Sequence, residues 1–290
     1  MRALVLSGGG SRGAFQAGAI IHLLRDLQTS YDAFCGVSVG ALNAAYLAQW
    51  PTGGEVEAAD GLARLWHSIS TASVRRSRWP FGVIGGLWSS SFYSSKPLAE
   101  LVGRHLNGHD IATSGKRLRV GAVNMRTGGY GLFNEHDPEV ELAVLASSAF
   151  PAMLEPVMIS GEPWSDGGLR DVTPLKAAIK LGADQIDVVM CQPRTLAPKE
   201  MVGRNAVGFA QRSIDVLMAE VVENDLQICR WINRSIAAGF PTQKRQVQVR
   251  VLRPEDGFPF GPLDFPPEEL AKAVERGQNR AADEGAWEVL

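Results

Sequence analysis

Short apolar runs alternate with stretches of helical spacing through the first fifty residues. Residues 2–7 form an apolar run that ends in glycines and predict a buried strand. In 14–27, Phe15, Ile20, Leu23, Leu24 and Leu27 recur at mostly helical spacing. Residues 31–37 predict a second strand, and 39–50 a second helix that Pro51 stops. Strand, helix, strand, helix in this order calls for a parallel sheet covered by helices. Further on, residues 97–106 predict a helix, with Pro97 in its first turn and Asn107-Gly108 at its end. Residues 117–123 and 186–190 predict strands, with a helix over 174–181 between them. Residues 73–95, rich in Gly, Ser, Trp and Arg, predict a long loop, and such loops are often functional. Residues 209–238 are mainly helical, with Ile214, Met218, Val221, Ile228 and Ile232 on one apolar face that packs on the core. Residues 246–252 alternate like a strand, and Glu268 and Glu269 suit the first turn of a last helix from Pro267. There is no internal repeat and no clear linker.

Composition narrows the function classes. Of 290 residues, 45% are hydrophobic and 21% charged, which is ordinary for a globular chain and excludes bulk disorder. The 29 Lys+Arg against 31 Asp+Glu give no whole-chain reason to bind nucleic acid. No apolar run is long enough to span a membrane, and the N-terminal run is too short for a signal-peptide core. Cys35, Cys191 and Cys229 lie far apart with no C-x-x-C, so neither a disulfide framework nor a zinc site is expected, and a reducing cytoplasm is the simplest compartment. Cys35 reads as core packing.

Three glycine-rich motifs carry the chemistry: GGGSRG at 8–13, GVSVG at 36–40 and DGG at 166–168. In the second, Ser38 sits at a strand-to-helix turn that pushes its hydroxyl out of the sheet edge. Gly36 and Gly40 remove side chains that would strike neighbouring backbone. The helix N-terminus at Ser38 favours developing negative charge. The first motif has two readings. One is a dinucleotide fingerprint, which needs an acid after the second strand; Asp32 comes before that strand, and Gly36-Val37-Ser38 occupies the required place. The other is an oxyanion hole built from exposed glycine amides.

A nucleophilic serine needs a base. The histidines are His22, His67, His105, His109 and His136, none of them in a distinctive motif, although a set with His105, His109 or His136 stays formally open. Asp166 is the better candidate, in an expected turn between Pro163-Trp164-Ser165 and a helical segment. Two following glycines let its carboxylate approach another loop.

The three motifs in this order, with SSAFP at 147–151 and LRDVTP at 169–174, resemble the patatin-like phospholipase family. The resemblance covers roughly residues 1–195, and 196–290 would be a C-terminal helical extension packed on the same domain. It implies a three-layer α/β/α sandwich with a mainly parallel central sheet. It also implies a lipid acyl hydrolase with a Ser–Asp dyad, no histidine and no metal or other cofactor. Carried over by position, Ser38 is the nucleophile and Asp166 the base. Gly8, Gly9 and Gly10 line the oxyanion hole, with Val39 adding its amide. Arg12, Gly13, Gly36, Gly40, Gly167 and Gly168 support the motifs.

The substrate expected is a phospholipid or lysophospholipid. Arg75, Arg76 and Arg78 precede Trp79, Phe81, Ile84, Leu87 and Trp88, so residues 75–88 are a candidate for peripheral contact with a lipid surface, for the wall of an acyl pocket, or for a folded-back loop. A soluble carboxylesterase or thioesterase with the same dyad is the nearest rival. A dinucleotide-dependent oxidoreductase and a binding protein that has lost turnover are more distant ones.

Overall fold

The computed structural model describes residues 1–77, 91–195, 206–241 and 243–290. In chain order its main elements are β1 (Arg2–Leu6), α1 (Gly13–Ile21), β2 (Ala33–Val37), α2 (Val39–Ala48), α3 (Glu55–Ser68), α4 (Lys96–His105), β3 (Arg117–Asn124), β4 (Tyr130–Asn134), α5 (Val140–Ser147), β5 (Val157–Ile159), β6 (Glu162–Asp166), α6 (Leu175–Leu181), β7 (Gln185–Val189), α7 (Ala206–Ala237), β8 (Gln248–Leu252), α8 (Pro267–Ala282) and β9 (Trp287–Val289).

Strands β8, β7, β1, β2 and β3 lie side by side and parallel, and β9 closes one edge antiparallel on β8. Period-two alternation divides the core. Leu4 and Leu6 face one helical layer, built on α1 to α5 and α8, while Ala3 and Val5 face the other, built on α6 and α7. The result is the three-layer α/β/α architecture that the motif order implied.

The register of β3 matters most for the site. Its residues 117–121 pair with β2, 119–123 with β4, and 122–124 with β6. A strand has two edges, so β4 holds one and β2 and β6 share the other in sequence. Strand β2 runs parallel to β3 and β6 antiparallel to it. Their C-terminal ends therefore meet head to head, Val37 opposite Gly121 and Asp166 opposite Ala122. Chain positions 38 and 166 become neighbours through this arrangement.

Helices α1 and α8 cross with their backbones in contact. A Cβ at Gly18 would lie 1.8 Å from Val274 O, and one at Gly277 2.0 Å from Phe15 O. Only glycine fits either position.

The structure departs from the sequence reading in several places. Asp166, expected within a turn, instead ends strand β6, and the turn follows it at Gly167–Leu169. Helix α3 and strands β4 and β5 were not expected. Helix α3 does carry a helical period, with Ala58, Ala59, Leu62 and Trp66 on its buried face, and the sequence reading passed over it; β4 and β5 are five and three residues long, too short to show a period. The extension beyond residue 195 is not only helical, since β8 and β9 extend the sheet. On α7 the buried stripe is Val222, Leu226, Cys229 and Asn233, one position off the face read from the sequence; Val221 and Ile228 point outward. Asn233 explains the shift. Its amide donates to Val247 O at 2.8 Å and accepts from Val247 N at 3.1 Å, so a polar residue belongs to the inner face. The side chains of Ile214 and Met218 lie outside the described residues.

Candidate active site

Ser38 links β2 to α2 with φ 57° and ψ −129°, a strained conformation for a residue with a Cβ. Two neighbours hold it there. Ser147 Oγ accepts from Ser38 N at 2.9 Å while donating to Gly121 O at 2.6 Å. Ser148 Oγ donates to Ser38 O at 3.1 Å. Next along, Ala149 O accepts from Asp166 N at 3.1 Å and from Ser165 Oγ at 2.6 Å. Residues 147–149 thus staple both the serine turn and the end of β6. Sequence reasoning placed them in a family motif but missed this role; two adjacent serines closing an apolar helix are the available signal.

The glycines at the turn are required by close backbone approach. A Cβ at Gly36 would stand 2.2 Å from Gly40 O, and one at Gly40 2.2 Å from Leu6 O. Gly40→Ala should therefore destabilise the protein by about 3 kcal/mol or more, read as a lower midpoint in urea unfolding. An unchanged midpoint would contradict the tight packing of this turn.

The first glycine motif lies against the serine, where a Cβ at Gly8 would be 3.2 Å from Ser38 Cβ. Gly10 has φ 62° and packs on Pro262, whose carbonyl accepts from Ser11 N at 2.8 Å. Ser11 Oγ donates to Gly261 O at 2.8 Å. Gly13 leaves room for Val39 and Trp66. The amides of this loop are not equivalent. That of Gly8 donates to Val172 O at 2.9 Å, so Gly8 shapes the loop but has no donor to offer. Those of Gly9, Gly10 and Val39 have no acceptor among the described residues, and all three residues line the cavity that contains Ser38.

Asp166 lines the same cavity and is 2% exposed. Its Oδ1 accepts from Gly168 N at 2.8 Å, and its Oδ2 is buried with no hydrogen-bond partner among the described residues. Gly167 allows the approach, because a Cβ there would lie 2.3 Å from Gly121 O. Burial raises the Asp166 carboxyl to about 7, against the opposing pull of the Gly168 amide and the Ser38 hydroxyl. Ser38 is thus close enough to favour the charged carboxylate, although no Ser38–Asp166 hydrogen bond of normal geometry closes. Catalytic pairs are often long before substrate binds. A second buried carboxyl, Asp171, is raised to about 6 by burial first and then by Asp225, but it does not line the cavity.

The cavity has about 100 Å³ of open space and largely apolar walls, with Leu42, Trp66, Leu98, Val102, Phe150 and Leu154 among them. Arg12 also lines it, with its Nε buried and without a partner among the described residues. Among the described residues His105 is the histidine on its wall. His22 pairs with Asp26, and His136 is exposed beside Glu135. Asp32 stands at the opposite end of β2, its carboxylate accepting from Arg2 N at 2.7 Å, so it is not placed for a ribose. Arg75 is engaged with Leu263 O, Asp264 and the face of Tyr93 and is not free to meet a headgroup. Residues 78–88 lie outside the described residues. Burial pushes the thiols of Cys35 and Cys191 up to about 12, as expected of packing residues.

A family model described as patatin-like phospholipase matches residues 4–179, and the chain belongs to that family. It is accordingly a lipid acyl hydrolase. Among solved structures, VipD from Legionella pneumophila matches at 14% identity with a TM-score of 0.47, over 100% of this chain and 68% of that one. No curated protein sequence matches.

Proposed function

We propose that this chain hydrolyses carboxylic esters of phospholipids or lysophospholipids through Ser38 and Asp166. The observation that carries the reading is the partnerless Oδ2 of a buried carboxylate, facing the same apolar cavity as a serine on a strained turn. Ser38 Oγ attacks the ester carbonyl carbon as its proton passes to Asp166. The tetrahedral oxyanion is held by the amides of Gly9, Gly10 and Val39, at the positive end of α2. Collapse expels the alcohol, which takes the proton back from Asp166 and leaves the acyl group on Ser38. Asp166 then deprotonates a water that attacks the acyl-enzyme, and departure of the fatty acid restores both side chains. The glycine amides cost no reorganisation because the Gly10–Pro262 contact already holds the loop.

One observation favours a lipid over a short soluble ester. The cavity walls are apolar well beyond the reacting serine, and burying a chain there gains roughly 0.8 kcal/mol per methylene. Among the described residues no helix is long and apolar enough to cross a membrane. The test compares phospholipid and lysophospholipid vesicles with short p-nitrophenyl esters. Faster turnover of the lipids, by about tenfold or more in kcat/KM, is expected. Turnover of the soluble esters with no response to vesicles would favour a carboxylesterase or thioesterase that uses the same pair.

A further inference from the structure

We infer that Leu106, backed by His105, is the end stop of an acyl-chain tunnel and sets the longest chain the site accepts. The inference rests on the reading that the ester carbonyl reacts at Ser38, which fixes where the chain begins.

Helix α2 starts beside Ser38 and presents Val39, Leu42, Asn43 and Tyr46 to the cavity. Helix α4 presents Leu98, Leu101, Val102 and His105. Both sets have offsets of three, four and seven, the spacing of a single helix face. The two rows therefore wall the cavity over two helical turns, about 10 Å along each axis. Asn43, the polar member, is occupied by the indole of Trp66 and by Gln16, so the lining stays effectively apolar.

Gln49, just past the end of α2, fixes the direction of the tunnel. Its Nε2 donates to His105 O at 3.0 Å, and its Oε1 accepts from Asn107 N at 3.2 Å. The C-terminal ends of α2 and α4 are thereby tied together, so residues 105–106 lie at the end remote from Ser38. Immediately beyond is a polar surface depression lined by Gln49, Trp50, Arg104, Asn107, Asp110 and Glu141. His105 and Leu106 line both this depression and the tunnel. They form a partition between an apolar chain site and water, and the buried member is Leu106, at 8% exposure.

The experiment measures thermal stabilisation of the Ser38→Ala protein by saturated fatty acids of increasing length, since a ligand that binds only the folded state raises Tm. The gain should rise with chain length to a limit and then fall. Adding Leu106→Ala should move that limit up by about two to four carbons, roughly the volume removed. Adding Leu106→Phe should move it down. Each shift is a difference between liganded and free melts of one variant, so a change in basal stability cancels. Hydrolysis of a p-nitrophenyl ester series, with Ser38 intact, should show the same order. A limit that stays put in both Leu106 variants overturns the inference. A limit that moves while no ester is hydrolysed upholds the end stop and overturns the proposed reaction instead.

Discussion

Ser38→Ala will lose ester hydrolysis by about 10⁴-fold or more and will no longer be labelled by a fluorophosphonate probe, which reacts covalently with activated serines. The size of the loss follows from the role. Without the hydroxyl no acyl-enzyme forms, and the residual rate is what the glycine amides and the cavity give to a direct attack by water. The fold should survive, because the backbone hydrogen bonds that hold this turn come from Ser147 and Ser148 and not from the Ser38 hydroxyl. Ser38→Gly makes a useful companion. It should be equally inactive but more stable by about 1 kcal/mol, since glycine relieves the positive φ. Persistent labelling of Ser38→Ala, or labelling that maps to another serine, would sink the assignment.

Asp166→Asn comes second in size. The amide cannot accept the serine proton, so a loss of about 10³- to 10⁴-fold in kcat/KM is expected. In the wild type the base must be deprotonated. With its carboxyl raised to about 7 by burial, kcat/KM should climb as pH rises through that value and level off above it. Stability should run the other way. The folded state keeps the Asp166 proton up to about pH 7, while the unfolded chain releases it near the ordinary carboxylate value. Between about pH 4 and pH 7 the unfolded state therefore binds fewer protons, and folding becomes less favourable as pH rises. An asparagine has no proton to lose and can still accept from the Gly168 amide. Asp166→Asn should thus be more stable than the wild type at pH 8, by a few kcal/mol at most, and the gain should vanish near pH 4. Activity and Tm followed across pH for both proteins check the two halves separately. Near-normal turnover of Asp166→Asn would remove the aspartate from the role of base.

The parts of this molecule legible in its sequence are those in which one local rule decides. Strands β1 and β2 are short apolar runs, and each leads through glycines into a helix, so their order could be read directly. Gly36 and Gly40 were legible because a strand-to-helix turn that exposes a serine has no room for side chains on either side of it. The proposed base, Asp166, was named from its two glycines, but its placement on a strand was not, because Glu162, Pro163 and Trp164 do not alternate in a recognisable way. The head-to-head meeting of β2 and β6 is a matter of register, decided by which edge of β3 each strand takes. No residue encodes that by itself. The same holds for the Gly8 amide. As sequence it is one of three equal glycines, and only the approach of Val172 O removes it as a donor. The stripe on α7 shows a further limit, because a buried Asn233 satisfied by Val247 looks like a surface residue until its partner is known.

The latch between Ser11 and residues 261–262 has a practical outcome for anyone seeking a smaller catalyst. The carbonyls that anchor the donor loop come from a part of the chain about 80 residues beyond the end of the family match. A truncated enzyme that kept every catalytic group would still release the loop those groups depend on. Conversely, substitutions around Pro262, far from Ser38 and Asp166 in sequence but on the wall of the same cavity, offer a handle for adjusting turnover without replacing either side chain.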